Sequence, residues 1–265
     1  MGRRWWTLPV WLLVVAAASA PAPAPARPFD VAVAAARLDD LHRRIYGDLE
    51  EVRAAERLNF HRIEGGIAAC MRAHSRPYRM PPFASFYRDF TDADLGYGTG
   101  RMSLIDSLTA GPRRYVLNER AYARLPHPKV RRQDMAVFQG CADRFGGQGY
   151  TSVPPPGGWN AVPDVSDILL AVVRDPGVAA AMRDYPGCMK VKYGYAVGVR
   201  EDFLMPGVDM DARYAADADC RRPAYLLAMR IVDQRLGPWE AEHRTRLDAI
   251  RRGWRERVEL ARRLG

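Results

Sequence analysis

From residue 30 onward, Val33, Ala36, Leu38, Leu41, Ile45, Leu49 and Val52 recur at three- and four-residue spacing, with Arg and Glu filling the other positions. This is the period of a helix with one buried stripe. The spacing predicts one long helix, capped by Asp30 and running toward Phe60. A second helical piece over 63–74 carries Cys70, with Gly65 and Gly66 softening the join. Pro77, Pro81 and Pro82 then exclude a helix, and Tyr78, Phe83, Phe86, Tyr87 and Phe90 crowd in. Residues 75–111 therefore read as a long ordered loop wrapped on the core. The glycines of 96–100 are turn residues, because Asp92 to Leu95 does not read as the buried strand that a phosphate loop requires.

Helical patterning resumes at Asn118, a cap for a helix over 119–125. Pro126 and Pro128 end it and start the next helix, which runs to Phe145 and stops at the glycines of 146–149. Residues 146–163, with three prolines followed by two glycines, form the clearest internal boundary. The second half predicts a helix over 165–173 and another opened by Asp175 and Pro176. That second helix reaches Lys192 and closes at Gly194. A further helix from Met210 through Cys220 to Leu236 leads to a corner at Gly237 and Pro238, and a last helix spans 239–264. The one strand-like stretch is a short hairpin near 195–199. The expected fold is mainly α: an irregular helical domain with long loops. A signal segment (1–26) precedes an N-terminal half (27–150) and a C-terminal half (151–265) that ends in a long helical hairpin, the two halves forming one globular unit.

The N-terminus changes the setting. Arg3 and Arg4 precede an uncharged apolar stretch, Trp5 to Ala20, that closes in small residues. This is the layout of a secretory signal. Pro21 disfavours cleavage directly after Ala20, and Ala24-Pro25-Ala26 is the preferred site. The alternative is an uncleaved anchor, the only way this chain would engage a membrane. No cysteine lies near the cleavage region, which excludes a lipid-modified terminus.

Cleavage after residue 26 leaves 239 of 265 residues and lowers the net charge from +9 to +7 with the loss of Arg3 and Arg4. Only Lys129, Lys190 and Lys192 are lysine among the 40 basic residues. The arginine skew suits a binder of anionic envelope material, but reads more simply as a soluble face written by a biased genome. Nucleic acid is a poor partner for an exported protein, and no basic stripe interleaved with aromatics occurs.

Four cysteines, Cys70, Cys141, Cys188 and Cys220, suit two disulfides in an oxidising compartment. Sequential pairing, Cys70–Cys141 and Cys188–Cys220, needs no threading between halves. Metal ligation lacks the usual Cys-x-x-Cys or Cys/His spacing. A short internal echo supports the same pairing. Cys70-Met71-Arg72 and Cys188-Met189-Lys190 each end a helix, and each precedes one later helical cysteine.

The order Ala-Cys-Met at Cys70, Gly-Cys-Ala at Cys141, Gly-Cys-Met at Cys188 and Ala-Asp-Cys-Arg at Cys220 resembles a family of uncharacterised secreted proteins and lipoproteins from actinobacteria. The resemblance spans residues 60–260 in short islands. It departs after the first Cys-Met, where Ala73 to Tyr78 replace a Gly-aromatic pair, and before the second, where Arg183 to Pro186 stand instead of a tryptophan. It implies export, helical content and two disulfides, and transfers no catalytic residue.

No catalytic motif is present. His42, His61, His74, His127 and His243 form no His-Glu-x-x-His pair, and no Gly-x-Ser-x-Gly elbow occurs. Disulfide-bonded cysteines leave no thiol nucleophile. The pairs Asp92/Asp94 and Asp217/Asp219 read as turn and cap residues rather than acid–base couples. Asp202, Asp209 and Asp211 lack calcium-loop spacing. No cofactor is implied. The expectation is a secreted, non-enzymatic protein of the cell envelope, with the arginine-rich helices and the aromatic loop 78–97 contacting an envelope polymer or another exported protein. The alternative is a secreted hydrolase with its site between the halves.

Overall fold

The computed structural model describes residues 28–97, 112–147, 149–198, 203 and 210–264. The export segment, the glycines of 98–100, and Asp202 and Asp209 lie outside the described residues. The fold is mainly α, and no strand occurs among the described residues. Its helices are α1 (Val31–Tyr46), α2 (Leu49–Ala73), α3 (Pro112–Arg124), α4 (Met135–Phe145), α5 (Ser166–Val173), α6 (Pro176–Tyr193), α7 (Met210–Glu242) and α8 (Arg244–Arg263).

Asp30 caps α1 as expected, accepting from the Ala32 and Val33 amides. The long first helix, however, breaks at Gly47 and not at the paired glycines. Gly47 has φ +83, a conformation that side chains disfavour. Asp48 then restarts the chain with a capping box, its carboxylate accepting from the Glu51 amide while the Glu51 carboxylate accepts from the Asp48 amide. The apolar stripe continues across this break, so periodicity alone does not reveal it. Gly65 and Gly66 lie inside an unbroken α2. A Cβ on Gly66 would sit 2.5 Å from the Phe145 ring, so the glycine is a packing notch for α4.

Three other boundaries differ from expectation. Asn118 lies within α3, not at its start. Pro238 does not end α7, because Leu236 and Trp239 on either side of it are both buried in the core. The Trp239 indole also donates to the Asp164 carbonyl at 2.8 Å. The corner falls at His243, and the last two helices do not pair as a hairpin: α8 lies mainly along α2, and α7 along α6, α1 and α5. Residues 194–197 form no hairpin. Asp175 and Pro176 open α6, and Gly194 closes it in the left-handed region.

The main core joins Leu38, Leu41 and Ile45 of α1 to Val172, Met229, Val232 and Leu236 of α5 and α7. A smaller cluster sets Ile250 and Trp254 of α8 against Ala55 of α2. Both clusters therefore draw on residues from before and after the 146–163 boundary. Two satellite clusters surround the disulfides, one with Met71 and one with Met189.

Candidate functional site

The cysteines pair sequentially. Cys70–Cys141 joins α2 to α4, with Cα atoms 5.8 Å apart, and Cys188–Cys220 joins α6 to α7 at 5.7 Å. Each bridge is followed by a wholly buried methionine, Met71 or Met189, so the Cys-Met echo has a structural meaning. The cysteine staples the helix while its neighbour fills the core beneath. His74 stands close to the first bridge, and the three side chains would make a metal-sized cluster. Both sulfurs are committed to the disulfide, which leaves one imidazole, too few ligands for a zinc site.

The two acidic pairs separate in space. Asp94 is buried and accepts from the Thr91 amide and hydroxyl, both at 2.7 Å, while Asp92 accepts from the Leu49 amide at 3.2 Å. These are loop anchors. Asp217 and Asp219 lie two residues apart on α7 and so point apart. Asp217 faces inward, accepting from Arg221 at 2.6 and 2.9 Å and from the Tyr185 hydroxyl at 2.8 Å. Asp219 faces outward and accepts from Lys192 at 2.6 Å and Tyr193 at 2.7 Å, hydrogen bonds that pull its pKa below the usual carboxylate range. Neither residue is a helix cap, and the two cannot share a reacting atom.

The aromatic loop turns inward. Phe86, Phe90 and Tyr97 are buried, and Phe86 and Phe90 pack with Ala121 of α3. The loop is fastened to α2 by two side chains that the sequence pattern did not single out. Arg53 donates to the carbonyls of Tyr87, Arg88 and Phe90. Glu56, wholly buried, accepts from the Ser85 hydroxyl at 2.5 Å and the Phe86 amide at 2.6 Å. Burial pushes the Glu56 pKa up to about 7, against the lowering effect of these hydrogen bonds. Their only sequence signal is the presence of ionisable residues at Arg53 and Glu56 near the apolar stripe of α2.

Two open grooves flank α8. One, of ≈ 620 Å³, lies between α8 and the loop at Pro156 to Ala161, with Arg246, Arg252 and Arg257 on its walls. A Cβ on Gly253 would meet Pro156 at 2.5 Å, so glycine lets the loop approach the helix. The other, of ≈ 440 Å³, lies between α2, α8 and the start of the aromatic loop. Arg53, Arg57, Arg88 and Arg262 line it, with Phe83 and Ser85, and Glu50 is its single carboxylate. Between these grooves, α8 holds eight arginines against Asp248, Glu256 and Glu259. Its net +5 is therefore over half of the chain's +9.

No protein-family model matches the chain, and neither a curated protein nor a solved structure is significantly similar to it.

Proposed function

We propose that the chain is exported and acts outside the cytoplasm as a non-enzymatic, envelope-associated binding protein that uses the arginine-rich surface of α8 against an anionic component. The observation that carries this reading is the concentration of charge. The buried face of α8 (Leu247, Ile250, Trp254 and Ala261) fixes the helix on the body, and six of its eight arginines are exposed. A fixed cationic face of this kind raises the local concentration of anions and weakens with salt. Residues 1–26 supply the export argument, and the two disulfides suit an oxidising compartment. No helix among the described residues is long and apolar enough to cross a membrane.

The basic surface is favoured over the aromatic loop because Phe86, Phe90 and Tyr97 of that loop are buried. A hydrolase would need a shifted acid or base on a groove wall. Glu56, the carboxylate with the raised pKa of about 7, lies wholly buried with its oxygens committed to the loop.

The test is a pull-down of the purified exported protein on cell-wall and membrane fractions across a salt series. Retention at low salt and release at high salt is expected, and no retention at any salt refutes the reading. N-terminal sequencing of exported material tests the export step. A start between Pro21 and Phe29 is expected, and an intact Met1 would rule out cleavage.

A further inference from the structure

We infer that the Cys70–Cys141 bridge is a thiol–disulfide exchange site, open to dithiols at Cys70, with His74 as its proton carrier. The inference goes beyond the envelope-binding reading and does not rest on it.

The two bridges of the chain supply the comparison. Each joins a half-buried cysteine near the C-terminal end of a helix, Cys70 or Cys188, to a buried one, Cys141 or Cys220. Four residues on, one turn further along the same side, the first bridge has His74 and the second Lys192. The surroundings differ there. A ring nitrogen of His74 and both sulfurs lie within 4.8 Å of one another, a gap that one water spans. Lys192 is turned to Asp219 at 2.6 Å. No histidine or carboxylate joins Cys188 and Cys220 in a comparable cluster among the described residues.

The end of α2 holds His74 in this place. Its amide donates to the carbonyls of Cys70 and Met71 at 3.3 and 3.2 Å, while the residue stays exposed. The imidazole therefore has solvent and the bridge within reach at once. The other charged groups of these elements are engaged elsewhere or lack an imidazole's chemistry. Arg76 and Arg131 pair with Asp134, Asp143 accepts from Gln139, and Glu64 accepts from Tyr78. Arg144 lies over the Phe145 ring, and Arg72 is exposed on α2.

Burial decides the order of events. Cys141 is 1% exposed and packs among Ile63, Ile67 and Met71, so an incoming thiolate reaches Cys70. A new sulfur–sulfur bond forms at Cys70, the bond to Cys141 breaks, and the electron pair leaves on Cys141. Apolar surroundings disfavour a thiolate, so the leaving sulfur needs a proton at once. Imidazole takes up and gives back protons near neutral pH. His74 accepts the proton that the incoming thiol gives up and passes it to Cys141. The second thiol of the dithiol then attacks the dithiol's own sulfur in the mixed disulfide and releases Cys70, and His74 carries the second proton in the same way. The dithiol leaves oxidised to a disulfide, and its two electrons and two protons stay on Cys70 and Cys141.

The experiment treats the purified, oxidised exported protein under native conditions with dithiothreitol or with glutathione, and maps alkylated cysteines by mass spectrometry over time. Cys70–Cys141 should open about tenfold or more faster than Cys188–Cys220, a modest share of what positioned proton transfer supplies. His74→Ala should slow the first bridge by a similar factor, change the shape of its rate–pH profile, and leave the second bridge as it was. Added imidazole should restore the lost rate, which a merely structural role would not do. His74→Gln should give the same loss if His74→Ala folds poorly. Glutathione, a monothiol, should leave a trapped adduct on Cys70, whereas dithiothreitol should run on to the free cysteines. Opening of both bridges together, an unchanged rate in both His74 variants, no response to imidazole, or an adduct on Cys141 would each overturn the assignment. None of these outcomes touches the envelope-binding reading, because exchange is measured without envelope material.

Discussion

The Trp254 indole donates to the Ile45 carbonyl at 3.0 Å, joining positions 209 residues apart. The same ring lies 3.0 Å from where a Cβ on Gly47 would be. One residue of α8 thus completes the end of α1 and requires glycine at the break before α2. Trp254→Ala should cost roughly 3–5 kcal/mol, as for other buried tryptophans. Gly47→Ala should cost about 1–3 kcal/mol from its left-handed backbone alone, with the ring contact adding to it. Urea midpoints measure both; an unchanged midpoint for Gly47→Ala would remove the tight contact from the account.

Glu56 predicts a pH dependence with a definite sign. Its folded pKa is raised from 4.5 to about 7, so the folded state holds the proton more tightly than the unfolded state. Stability linked to this group is full below pH 4.5 and declines as pH rises through about 7. The shift corresponds to roughly 3 kcal/mol at 1.36 kcal/mol per unit. Glu56→Gln keeps an acceptor for the Phe86 amide and a donor for the Ser85 oxygen without the charge. It should flatten the decline and stabilise the protein at pH 8. Denaturant titrations at several pH values decide this, and parallel pH profiles would contradict it.

Asp217 and Arg221 form a buried ion pair completed by the Tyr185 hydroxyl. Asp217→Ala removes the carboxylate that faces a buried guanidinium and should cost about 3–5 kcal/mol. Asp217→Leu/Arg221→Met removes both charges and should cost far less. A thermal shift of the double variant as large as that of Asp217→Ala would mean the pair itself is stabilising.

The disulfides differ in the loop each closes, 71 residues for Cys70–Cys141 and 32 for Cys188–Cys220. Chain-entropy arithmetic gives about 4.4 and about 3.7 kcal/mol respectively. Paired Cys→Ser variants should lose stability in that order. Peptide mapping without reductant should recover the two sequential crosslinks, and any Cys70–Cys188 peptide would contradict the fold.

Helix type and disulfide pairing were legible because each depends on local pattern and chain order. Asp30 and Asp175 cap where their spacing indicates. The helix breaks were less legible, because tertiary packing decides them. Gly66 continues a helix where Phe145 needs the space, and Pro238 is carried through by its buried neighbours Leu236 and Trp239. The Gly47 break was marked by its capping box, Asp48 with Glu51, beneath an uninterrupted apolar stripe. The groove is not legible locally at all: Arg57, Arg88 and Arg262 meet only once α8 lies against α2.

The two staples also divide the chain covalently. A backbone cut between Cys70 and Cys141, or between Cys188 and Cys220, leaves every piece tethered through sulfur. A single cut between Cys141 and Cys188, the interval that holds the proline-rich turn, releases two fragments, each closed by its own bridge. Arg257 shields part of that turn by donating to the Pro154 carbonyl at 2.7 Å. After such a cut the fragments are held together without a covalent bond, mainly where α1 meets α7 and α8 and α2 meets α8. The covalent layout therefore makes this protein a natural split pair, whose reassembly from separately made halves would read out the strength of the packing between them.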